Sequence, residues 1–161
     1  VIDGLSAETK IRLKGIVEIR VYDKNGNLKK KIVKENLIVN AGKARVAGLI
    51  NGIETTPFKY MAIGSGDPSN PGVCTAPSTN NTALQNEIIR KLATTSRTTT
   101  NVTNDTAQWE AEFTATGNWA VCEAGLFDAS SGGTMLARQT FGTINLSDGD
   151  KISITWKVIV Q

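Results

Sequence analysis

Apolar and polar side chains alternate most regularly at the end of this chain, where Ile152, Ile154, Trp156, Val158 and Val160 interleave with Ser153, Thr155 and Lys157. Successive strand residues point to opposite faces, so the pattern buries one face and wets the other. A similar alternation runs through Leu13, Val17, Ile19 and Val21, with a phase shift at Gly15 that predicts a bulge. Asp23-Lys-Asn-Gly-Asn27 then predicts a hairpin turn, with a return strand over 28–39. Asn40 reads as the N-cap of a short helix over 41–50 that stops at Asn51-Gly52. A buried strand follows over 58–63, then a long loop over 66–81 rich in Pro, Ser, Asn and Gly. Thr82-Ala-Leu-Gln85 has capping-box spacing and predicts one helical turn through Glu87. Strands over 88–102, 107–115, 119–127, 134–141 and 151–160 complete the chain.

Short strands separated by turn clusters predict an all-β domain: an antiparallel β-sandwich or jelly-roll-like fold with an N-terminal β-hairpin and one or two short helices. Residues 1–40 read as a first strand and a basic β-hairpin arm, and residues 41–161 as the sandwich, within one structural unit. At 161 residues the chain has room for one real core. Apolar runs fall short of the roughly 18–20 residues that span a bilayer, so no membrane partner is expected. Val1 opens the chain, which leaves room for a leader removed upstream.

Charge changes the picture. Residues 1–50 carry eleven Lys/Arg against five Asp/Glu, while residues 51–161 carry seven against ten. Arg12, Arg20, Lys29, Lys30, Lys31 and Lys34 are therefore the candidate docking residues for an acidic partner. A strand edge kept from aggregating by its lysines explains the same residues. Interleaved aromatics are missing, which argues against nucleic acid.

Candidate chemistry is sparse. The chain has no histidine, which removes His-based triads and the commonest metal ligand. Gly64-Ser65-Gly66 lacks the Lys-Ser/Thr of a phosphate loop. Glu110 and Glu112 alternate with Trp109, Ala111 and Phe113, so they face solvent and do not form an acid/base pair. Asp67, Asp128, Asp148 and Asp150 read as turn formers, not as a calcium loop. Neither a catalytic residue, a metal nor a cofactor is expected. Glu123 stands out because it interrupts the apolar run 121–127; a carboxylate there needs a cation, and Arg90 and Arg138 are the candidates for a structural ion pair. Cys74 and Cys122 read equally as a disulfide and as two separate thiols.

The ordered set Glu35–Gly42, Tyr60–Gly66, Thr82–Glu87 with Arg90, Glu123–Asp128, Gly133–Arg138 and the strand 152–160 resembles a family of small tailed-phage virion structural proteins. The likeness covers residues 15–161 and is to head-decoration and tail-fibre components. It implies a β-rich, non-enzymatic protein on the virion surface, self-associating as a homo-oligomer with a trimer favoured. Its partner would be the major capsid protein or another virion protein. Two other functions fit the residues: an extracellular filament or pilus subunit assembled by strand donation from residues 1–14, and a receptor- or glycan-binding module using Trp109, Trp119 and the 66–81 loop.

Overall fold

A computed structural model describes residues 9–161. The elements in chain order are β1 (Leu13–Tyr22), β2 (Leu28–Ile38), α1 (Asn40–Asn51), β3 (Tyr60–Gly64), β4 (Glu87–Leu92), β5 (Thr94–Thr98), β6 (Thr106–Thr114), β7 (Trp119–Phe127), β8 (Met135–Leu146) and β9 (Lys151–Val160). Neighbouring strands pair antiparallel in the order β4-β3-β7-β8-β2-β1-β9-β6-β5. One layer is β2-β1-β9-β6-β5 and the other is β4-β3-β7-β8. They join where Leu37 and Ile38, at the end of β2, pair with Arg138 and Ala137 of β8. The fold is all-β and nearly closed.

Burial follows the alternation. Val17, Ile19 and Val21 of β1 lie beside Ile152, Ile154 and Trp156 of β9, and these beside Trp109, Ala111 and Phe113 of β6. This face packs against Val121, Ala124 and Leu126 of β7 and Leu136, Phe141 and Ile144 of β8. Each large apolar side chain removed from water here contributes about 1.5–3 kcal/mol.

Three expectations about the strands change. The hairpin β1–β2 is no arm, because β1 pairs with β9 along its full length and so lies inside the layer. Residues 1–8, which belong to that predicted N-terminal unit and to the strand-donating segment, lie outside the described residues. Gly15 keeps register on both sides and forms no bulge; a Cβ there would strike the Asn36 side chain, so glycine makes room for it. The bulge sits at Lys29, between the pairs Val21–Lys30 and Tyr22–Leu28. Finally, the strand expected over 88–102 is two strands, since buried Ala93 carries the chain from one layer to the other and donates its N–H to the Lys59 carbonyl (2.8 Å).

Helix α1 is the one helix among the described residues, and Val39 precedes it as an N-cap without a side-chain bond. Strand pairing sets that start: the Val39 N–H is already bonded to the Leu136 carbonyl (3.0 Å), so Asn40 falls inside the helix and its amide donates to Asn80 Oδ1 (3.2 Å). Gly52, at φ 79°, ends the helix in the left-handed region that favours glycine.

The loop after β5 is tied by a single carboxylate. Asp105 accepts the N–H groups of Thr100, Asn101 and Val102, each at 2.8 Å, and the Thr106 hydroxyl at 2.8 Å. These donors, the Val102 N–H foremost, hold its pKa far below the ordinary 3.8. A depressed folded pKa gives stability that is present above the ordinary carboxylate range and lost as pH falls toward the folded value. Asp105→Ala is therefore expected to remove part of the acid dependence of unfolding. Amide protection at residues 100–102, relative to the intrinsic rate at the same pH, should be lost at neutral pH in the variant, and in the wild type only in strong acid.

Candidate functional site: the anchored loop and the basic strand

Glu123 on β7 and Arg138 on β8 are both fully buried. Arg138 Nη2 and Nε donate to Glu123 Oε2 at 2.8 and 3.1 Å. Such a pair is tolerated in a core where its remaining donors and acceptors are also met. Here they are met by one segment, the long connection between β3 and β4. The carboxylate accepts the N–H groups of Gln85 (3.1 Å) and Asn86 (3.0 Å). The guanidinium donates to Asn81 Oδ1 (3.0 Å), Gln85 Oε1 (3.1 Å) and the Thr75 carbonyl (3.3 Å). This capture replaces the helical turn expected over 82–87, because the amides that would open it are drawn to Glu123. A Cβ at Gly64 would strike the same carboxylate, so the strand exit at Gly64-Ser65-Gly66 serves packing.

Arg90 does not join this pair. It bonds Glu87 at 2.7 Å, lies 3.7 Å from the Phe127 ring centre, and donates to the carbonyls of Ala129 and Gly132 at 2.8 Å. The two carbonyl bonds brace the β7–β8 turn, while the Glu87 contact stays within β4. Cys74 and Cys122 are joined by a disulfide with Cα atoms 6.0 Å apart, which fastens the middle of the 66–81 loop to β7. Thr143 Oγ1 adds a bond to the Gly72 carbonyl (2.6 Å).

The six basic docking candidates do not form one patch. Arg20 and Lys31 share the outer face and both reach Glu18 Oε1, at 2.8 and 3.3 Å, outside hydrogen-bond geometry, so the attraction is Coulombic. Lys29, at the bulge, lies 3.5 Å from Asp23. Lys30 and Lys34 stand opposite Val21 and Val17, on the core-ward face at the sheet margin. Lys34 Nζ donates to the Thr140 carbonyl (3.1 Å), and Lys30 meets no carboxylate at ion-pair distance among the described residues. Arg12 is remote from these; its backbone pairs with Gln161, and it lines a shallow apolar hollow with Leu13, Val46 and Ile50.

Other candidates resolve into structure. Glu110 and Glu112 are exposed on β6, and Lys151 lies 3.5 Å from Glu112. Asp67, Asp128 and the Asp150 carboxylate each accept a turn N–H. Among the described residues no three His, Cys, Asp or Glu side chains gather as a metal site. Trp109 is buried and donates Nε1 to the Phe58 carbonyl (2.7 Å), which withdraws it from any ligand. Trp119 is half-buried at one end of the sandwich. Two functional-looking contacts escape sequence reasoning: the Arg45–Asp128 bond (2.7 Å) that ties α1 to the β7–β8 turn, and the Gln139 side chain between β2 and β8. A lone glutamine within Met135–Phe141 was the one available signal for the latter.

Polar clusters that end on the chain's own loops, within a nearly closed antiparallel sandwich, define a structural module. The chain belongs to the Gp80 family, described as podophage GP4 fiber I protein gp80, whose model matches residues 42–160. It is thus a phage virion structural protein, from a family described by a fibre protein. No curated protein and no solved structure matches the chain. No helix among the described residues is long and apolar enough to cross a membrane.

Proposed function

We propose that this protein is a non-enzymatic subunit of a tail appendage, carried at the virion surface as a homo-oligomer, and that it docks on a neighbouring virion protein through the basic strand β2. The family match carries the reading, since its description names a fibre; capsid decoration is the rival location. The matched span begins at Gly42, beyond β1 and β2, so the hairpin that carries the lysines is where this chain would differ in what it attaches to. An exposed positive strand steers an acidic partner and adds specificity more than raw affinity.

Replacing Lys29, Lys30 and Lys31 together by glutamate is expected to lower incorporation into particles at least ten-fold, with the circular dichroism spectrum unchanged. Incorporation equal to wild type would overturn the docking surface. Gold labelling of a tagged chain on intact particles separates tail from head, and label confined to the head would overturn the appendage.

A further inference from the structure

β2 and β8 start to pair and then part. Leu37 and Ile38 oppose Arg138 and Ala137, and the Val39 N–H bonds the Leu136 carbonyl. The next rung would join Glu35 to Thr140. In its place stands a side chain: Gln139 Oε1 accepts the Thr140 N–H (2.8 Å) while Gln139 Nε2 donates to the Glu35 carbonyl. One primary amide thus occupies the position of an inserted peptide group. Lys34 spans the same opening to reach the Thr140 carbonyl. Beyond this point the margin of β2 is open.

Backbone groups of alternate strand residues point to opposite sides. Even-numbered residues of β2 bond β1, because Val39 and Glu35 point toward β8 and share the parity of Val33 and Lys31. The N–H and C=O groups of Lys31 and Val33 therefore face outward and meet no strand among the described residues. Both residues are exposed. An open row of this kind accepts an added strand.

The lysines decide whose strand it is. Lys31 flanks the row on the outer face, and Lys30 and Lys34 flank it on the core-ward face. A second copy of β2 laid antiparallel about Ile32 would set Lys30 against Lys34, and like charges directly opposite are destabilising. An extended segment carrying carboxylates at alternate positions is attracted instead. We infer that the gap between β2 and β8 receives an acidic β-strand from a partner protein, which continues at Lys31 and Val33 the insertion that Gln139 begins. This deepens the docking role proposed above by naming its mode.

The test titrates the full, isotope-labelled chain with an eight-residue peptide of alternating threonine and glutamate, followed by amide exchange. Binding should slow exchange at Lys31 and Val33 at least ten-fold. The same peptide N-methylated at alternate residues, in either register, keeps its charge and loses strand bonding; one register should bind at least ten-fold more weakly. Val33→Pro removes just the outward N–H, since β1 does not use it, and should weaken binding ten-fold in a folded chain. Equal binding of all peptides would show that charge alone acts, and the absence of binding or of protection at these two amides would equally overturn the inference. A negative titration beside normal particle incorporation removes the inserted strand and leaves the fibre reading intact.

Discussion

Arg138→Ala should lower stability by about 3–5 kcal/mol, the range for stripping one partner from a buried ion pair. Glu123 would remain as a buried carboxylate with two backbone donors but no cation, and Asn81, Gln85 and Thr75 would lose their shared donor. That is a large share of a domain's typical 5–15 kcal/mol. Urea unfolding gives the number, and Arg138→Lys provides a milder variant that keeps the charge but not the planar fork. The pair is also directional. Exchanging the two residues should not rescue stability, because position 123 must accept from the Gln85 and Asn86 amides, and an arginine has no acceptor. A swapped double variant as stable as wild type would refute the role of Glu123 as anchor of the loop.

Cys74→Ser combined with Cys122→Ala should cost about 4 kcal/mol in the chain-entropy model for a separation of 48 residues. A chain of this size would lose about 10 °C in Tm. The loop should loosen between Gly66 and Thr82 while residues 85–86 keep their amide protection, because Glu123 still holds them. Loss of protection across the whole of 66–86 would mean that the two fastenings act as one.

Regular alternation made some of the fold readable. β7 and β9 occupy the ranges their residues announce, since one is a run between turns that is apolar but for Glu123 and the other alternates without a fault. Where a residue serves two neighbours, local pattern misleads. Thr94–Thr98 suits an exposed strand as well as a continuation of β4, and nothing local tells that Ala93 changes layers. The strand expected over 134–141 runs on to Leu146 as β8, because β7 offers Val121, Ala120 and Trp119 as partners. Thr82–Gln85 has the letters of a cap, but a carboxylate some forty positions away claims its amides. Glu123 within an apolar run announces a need for a cation; which arginine supplies it depends on β8 lying beside β7, and that adjacency is not a local property. The lysines of β2 were legible as charge, whereas the gap beside them rests on Gln139, whose role exists once two strands have parted.

The pairing of β1 with β9 has a consequence for synthesis on the ribosome. Val17, Ile19 and Val21 emerge early, yet the strand that flanks them is translated more than a hundred codons later. Until then a nascent hairpin presents a greasy, half-finished margin to the cytosol. Contacts so distant in sequence slow folding and lengthen exposure to aggregation. Chains stalled before Lys151 should therefore be held by chaperones or degraded, and virion assembly should draw on fully translated subunits.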